Sequence, residues 1–198
     1  DYAFAYNNRG LVYKEQKKYK EAVDDYTKAL ELDSNYAVAY NNRGLVYKEQ
    51  KKYKEAITDY TKALELDPNY AFAYNNRGIV HKEQRNYEEA LKDYTKALEL
   101  DSNYAFAYNN RGLAYMEKEN YEKALADFTK ALKLDTDYVN AYINRASLYE
   151  KKEEYGEAFE DYDKAFNLAP TFLSTQKRQK ALVKWMEHED DNSWAEEY

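Results

Sequence analysis

The chain has 198 residues, a net charge of −7, and 24 tyrosines against five glycines, two prolines and no cysteine. This composition excludes a disulfide framework and a thiolate metal site. The acidic balance argues against a nucleic-acid surface, which needs a basic footprint.

No apolar run reaches the roughly eighteen residues a membrane-spanning helix needs, so no membrane association is expected. No basic stretch followed by a greasy one opens the chain, which favours a cytoplasmic location. Residues 3–36 contain the basic pattern of the chain. Residues 3–16 and 20–33 lack proline and are rich in Ala, Leu, Lys and Glu, which predicts two helices joined by the polar Gln16-Lys17-Lys18. At about 100° per residue, Tyr6, Gly10 and Tyr13 share one side of the first helix. Ala22, Tyr26, Ala29 and Leu30 share one side of the second. A glycine inside a helix costs about 1 kcal/mol against alanine, so Gly10 opposite Ala22 is expected to let the two backbones approach. Asp33-Ser34-Asn35-Tyr36 reads as a turn with Asn or Asp available to cap the next helix.

The unit then recurs every 34 residues, over 37–70, 71–104, 105–138 and 139–172. Tyr6, Tyr40, Tyr74, Tyr108 and Tyr142 keep this spacing, as do Asn8, Asn42, Asn76, Asn110 and Asn144. The first two units differ only at Phe4/Val38, Val23/Ile57, Asp24/Thr58 and Ser34/Pro68. Self-similarity at such a period marks a stack of supersecondary units. It also answers the hint of disorder in the low Leu, Ile, Val and Phe content, because tyrosine becomes the large residue of the core.

Residues 173–188 read as a capping helix aligned with a sixth first helix. Thr175, Gln179, Leu182, Val183 and Met186 are expected to face back onto the fifth unit, and Arg178 and Trp185 to point the same way as Asn8 and its copies. Residues 189–198, with Trp194, form an acidic tail expected to be disordered or to enter a groove as a peptide. Asp1-Tyr2 matches Asp137-Tyr138, so the chain is read as opening on the end of a unit of a longer array, its first helix lacking a polar outer face.

Tyr40, Gly44, Tyr47, Ala56, Tyr60, Ala63 and Pro68 resemble the tetratricopeptide repeat, and the resemblance extends over residues 3–172. It implies an all-α fold: a right-handed superhelical solenoid of antiparallel helix pairs, the first helices lining a concave groove. It also implies a protein–protein interaction scaffold. On the arc opposite the packing face lie Phe4, Asn7, Asn8 and Leu11, then Asn41, Asn42 and Leu45, then Phe72, Asn75, Asn76 and Ile79, then Phe106, Asn109 and Asn110, and Asn144. A primary amide offers two donors and one acceptor oxygen, which suits the N–H and C=O of an extended peptide whatever its side chains. The row resembles the asparagine ladder of the O-linked N-acetylglucosamine transferase repeats. An apolar stripe beside amides suits a buried ligand.

The two-carboxylate clamp by which some family members hold chaperone tails is not matched, because its lysines are missing here. The partner expected is therefore a protein or peptide of another kind. The alternative is self-association, head to tail through the uncapped first helix. Arg9, Arg43, Arg77, Arg111 and Arg145 are expected to pair with Asp25, Asp59, Asp93, Asp127 and Asp161. His81 and His188 are the only histidines, and no phosphate loop, nucleophile elbow or metal-ligand cluster is present, so neither enzymatic activity nor a cofactor is expected.

Overall fold

The computed structural model describes residues 2–193, with side chains described for 2–171 and 175–187. Among the described residues the regular structure is entirely α-helical. Helices α1 (Tyr2–Glu15), α2 (Tyr19–Leu32), α3 (Ala37–Glu49), α4 (Tyr53–Leu66), α5 (Ala71–Glu83) and α6 (Tyr87–Leu100) belong to one compact unit, Asp1–Ser102. Helices α7 (Ala105–Glu117), α8 (Tyr121–Leu134), α9 (Val139–Lys151), α10 (Tyr155–Leu168) and α11 (Phe172–Ser193) belong to a second, Asn103–Tyr198. Within each unit consecutive helices pack as antiparallel hairpins on short connections. None of the described helices is long and apolar enough to cross a membrane.

Each hairpin turns at a residue in the left-handed region: Lys17, Lys51, Arg85, Glu119 and Glu153, with φ of 57–63°. The Lys18 N–H donates back to the Tyr13 carbonyl at 2.9 Å, closing the first helix. Because the chain reverses in one residue, the second helices start at Tyr19 and its copies, earlier than composition alone suggests. They end where Asp33 becomes extended (φ −140°, ψ 96°).

The expected capping role of the junction residues is corrected. Asp33 Oδ1 accepts the Asn35 N–H at 3.0 Å, folding the turn on itself. The residue preceding α3 is Tyr36, which makes no side-chain cap.

The core comes largely from the second helices. Ala22, Tyr26 and Ala29 are free of solvent, as are Ala56, Tyr60 and Ala63. Tyr26 packs with Ala22 and with Val46 of the following hairpin, flanked by Leu11 and Tyr13. A Cβ placed on Gly10 would lie 2.7 Å from the Tyr26 ring. The glycine therefore makes room for the aromatic ring.

Helix α11 departs from the expected phase. Thr175 and Leu182 are only half-buried, Gln179 is exposed, and Val183 and Met186 are more than half exposed. Among the described side chains of α11 the buried one is Ala181, packed with Ala146, Ala158 and Tyr162. It stands where Val46 and Leu148 stand in earlier hairpins, one residue ahead of the 34-residue register. The shift coincides with a changed junction. Ala169 replaces the aspartate that folds the other junctions, and α11 begins at Phe172. The helix continues to Ser193, past the expected end at 188. Trp194 and the remainder of the tail lie outside the described residues.

Candidate functional site

The face opposite the core is built on the first helix of each hairpin. Its two asparagines take different positions. Asn7, Asn41, Asn75 and Asn109 are all buried. Asn8 is exposed, Asn42 retains only 6% exposure, and Asn76, Asn110 and Asn144 are half-buried. In the first unit Asn42 Nδ2 donates to Asn7 Oδ1, and Asn76 Nδ2 to Asn41 Oδ1, each at 2.9 Å. In the second unit Asn144 Nδ2 donates to Asn109 Oδ1 at 2.9 Å. Asn109 is also hydrogen-bonded to the Tyr138 hydroxyl, whose pKa burial pushes up to about 12. The buried asparagines thus hold the amides of the following helix in one orientation. Among the described residues no further hydrogen bond engages the oxygens of Asn42, Asn76 and Asn144, and each keeps a second N–H.

The apolar residues divide in the same way. Phe4, Phe72 and Phe106 are more than half exposed, and Val38 is exposed at the equivalent position. The Phe106 ring lies 4.8 Å from that of Tyr138. Leu11 and Leu45, expected beside the amides, are half-buried and also pack against the Tyr26 and Tyr60 clusters. Ile79, at the same position, is half-buried.

The arginines flank this face as expected. Arg43 Nε and Nη2 donate to both Asp59 oxygens at 2.8 Å, and the pairs at Arg9, Arg77, Arg111 and Arg145 are likewise two-pronged. A third contact was not anticipated from the sequence. Arg43 Nη1 also donates to Thr27 Oγ1 of the preceding hairpin at 3.0 Å, Arg77 to Thr61 at 3.1 Å, and Arg145 to Thr129 at 3.2 Å. The signal was present: threonine recurs at this position until Asp163 replaces it. There Arg178 donates to Asp163 and lies over the Phe159 and Phe166 rings. Arg178 therefore makes the backward contact that the other arginines make to threonine, one residue early. Trp185 stacks on Phe159 with centroids 5.5 Å apart, against Gly156. Arg178 and Trp185, expected to point the same way as Asn8 and its copies, thus pack against α10. Around it Lys177 Nζ donates to Ser147 Oγ at 3.1 Å, and the Tyr162 hydroxyl to Glu150 at 2.8 Å.

His81 replaces the tyrosine found at Tyr13 and Tyr47. Its Nδ1 is buried without a partner among the described residues, and burial lowers its pKa despite Asp93 3.9 Å from Nε2. No group of three His, Asp or Glu among the described residues is arranged to hold a metal ion.

Within each unit, hairpins that repeat one interface and turn their first helices to one face define a helical-repeat scaffold. The chain belongs to the tetratricopeptide repeat family, whose models match residues 3–36, 37–70, 71–104, 105–138 and 139–172. It is similar to the crystal structure of YrrB, described as a tetratricopeptide protein with an unusual peptide-binding site. The two are 29% identical with a TM-score of 0.68, over 90% of this chain and 92% of that one. It is similar to pilF of Pseudomonas aeruginosa at 25% identity and a TM-score of 0.78, over 96% and 97% of the two chains. PilW, a type IV pilus biogenesis factor, shares the fold at 21% identity and a TM-score of 0.83, over 92% and 86%. No curated protein matches the sequence. The fold class is all-α, that of the tetratricopeptide solenoids, and the family supports a protein–protein interaction scaffold.

Proposed function

We propose that the first-helix face of each unit binds an extended peptide segment of a protein partner, its backbone read by that unit's asparagines. The carrying observation is the fixed amide orientation. With one N–H held by a buried asparagine, Asn42, Asn76 and Asn144 each keep an acceptor and a donor for a ligand backbone. Exposed Phe4, Phe72 and Phe106 supply apolar surface beside them. Asn7, Asn41, Asn75 and Asn109 act beneath the ligand as supports, and Leu11, Leu45 and Ile79 as the floor. The similarity to YrrB, which has a peptide-binding site, agrees with this reading.

The test is affinity capture with the full chain, followed by quantitative binding of what is captured. Phe4→Ala with Phe72→Ala leaves the core intact and is expected to weaken binding about tenfold. Asn76→Ala is expected to weaken it severalfold, at about 1 kcal/mol per hydrogen bond. Unchanged affinity in both variants, with helicity preserved by circular dichroism, refutes the site.

A further inference from the structure

We infer that the segment bound on the Asp1–Ser102 unit is a polyproline-II strand with an uncharged, apolar side chain at every third residue. This rests on the peptide-binding reading above and adds the ligand's conformation and period.

The argument starts from spacing. The face offers one ladder amide and one exposed apolar side chain per hairpin, Asn8 with Phe4, Asn42 with Val38 and Asn76 with Phe72. Neighbouring first helices are close enough for two short asparagine side chains to bond directly at 2.9 Å. That places them at the usual packing separation of about 8–10 Å. A ligand that meets each hairpin alike must repeat at this interval. A polyproline-II helix advances about 3.1 Å per residue with three residues per turn, so one of its faces recurs every 9 Å or so. A β-strand returns a side chain to the same face about every 6.7 Å and falls out of step by the second hairpin. Polyproline II also leaves every backbone N–H and C=O without an internal partner, which is what Asn42 and Asn76, each holding one donor and one acceptor, can use; the Asn8 oxygen already accepts from Asn7 Nδ2 at 3.3 Å, so Asn8 offers its N–H groups.

Charge points the same way. Arg43 and Arg77 are neutralised by Asp59 and Asp93, and Lys14 and Lys48 lie 3.1 and 3.4 Å from Glu15 and Glu49. The wall beside the amides is balanced, so a charged ligand side chain gains nothing there, while the exposed Phe4, Val38 and Phe72 favour apolar ones. Proline has no N–H. It is therefore excluded from the ligand position whose N–H meets an asparagine oxygen and accepted at the other two of each three.

The test uses two fluorescein-labelled nonapeptides of identical composition, three leucines among Pro, Gln and Ser, read by fluorescence anisotropy against the full chain. One carries leucine at its first, fourth and seventh positions, the other at its first, third and fifth. The first is expected to bind about tenfold tighter and to lose that advantage with Phe4→Ala/Phe72→Ala. Proline substitution along it is expected to weaken binding with period three. Equal or tighter binding of the second peptide, no binding of the first, or binding of the first that ignores Phe4→Ala/Phe72→Ala overturns the inference. If the second peptide wins and still responds to the phenylalanine variant and to Asn76→Ala, the peptide site stands and only the period falls. If neither those variants nor Asn76→Ala alters binding of the captured protein partner, the peptide-binding reading itself falls.

Discussion

Replacing Arg43 and Asp59 by leucine, singly and together, tests how the hairpins are locked. Asp59 is 4% exposed and takes both prongs of Arg43 at 2.8 Å. Arg43→Leu strands a buried carboxylate, a loss of about 3–5 kcal/mol. Asp59→Leu strands a guanidinium that retains some solvent access and its Thr27 contact. The arginine head can move toward water, so roughly half that loss is expected. The double variant leaves no buried charge and loses mainly the Thr27 bond and the stacking on Tyr40 and Tyr47, about 1–2 kcal/mol. The coupling is therefore at least about 2 kcal/mol. Urea unfolding followed at 222 nm measures it, fitted with a nearest-neighbour model because stacked repeats need not unfold in one step. Arg9, 57% exposed in its pair with Asp25, provides the comparison, and its cycle with Asp25 is expected to couple less. Two small single losses that add up in the double variant would refute the lock.

Tyr60→Phe is expected to be neutral or stabilising by up to about 1–2 kcal/mol. The Tyr60 hydroxyl is buried without a hydrogen-bond partner among the described residues, and Phe128 holds the same position four helices later. A clear loss in thermal stability would show a hidden partner. His81→Tyr should flatten stability on the acid side. Burial lowers the folded-state pKa of His81, so its contribution is present above the ordinary histidine value and lost as pH falls through that range. An unchanged acid limb in pH-dependent melts would exclude His81 as its source. Tyr138 works in the opposite sense. With its pKa raised to about 12, its contribution is complete below the ordinary tyrosine value near 10 and declines as pH rises toward 12. Tyrosinate absorbance at 295 nm should therefore rise together with loss of helicity, and early titration of all tyrosines in the folded chain would contradict the burial. Gly156→Ala is expected to be tolerated, since its Cβ would lie 3.5 Å from Trp185. Gly156→Lys should displace Trp185 and red-shift its emission, read in a Trp194→Phe background.

The tyrosine spacing and the helix pairs were legible because periodicity survives any local detail. So were the arginine–aspartate pairs, since two opposite charges recurring at one offset can hardly be chance in a duplicated unit. What the spacing could not reveal was which of two adjacent asparagines is buried. Asn7 and Asn8 lie about 100° apart on one helix, and only the following hairpin decides that Asn7 is covered. The double position of Leu11 was hidden for the same reason, since it borders the face and also leans onto the Tyr26 cluster. The phase of α11 was lost at a junction unlike the others, Ala169-Pro170-Thr171-Phe172 in place of Asp67-Pro68-Asn69-Tyr70. Ala169 cannot fold the junction as Asp33 does, and the one-residue shift moved Arg178, Ala181 and Trp185 together.

The contacts between hairpins carry a consequence for how such a chain changes length. Asn42 and Arg43 reach back to Asn7 and Thr27, and Asn76 and Arg77 reach back to Asn41 and Thr61, by the same bonds at the same offsets. Removing residues 37–70 would join Tyr36 to Ala71 and present α2 with the same donors, and with Val80 where Val46 had been. The joints are interchangeable, so whole units can be gained or lost by recombination with no seam to repair. Interchangeable joints also accept the wrong neighbour during folding, and only chain connectivity distinguishes the right one.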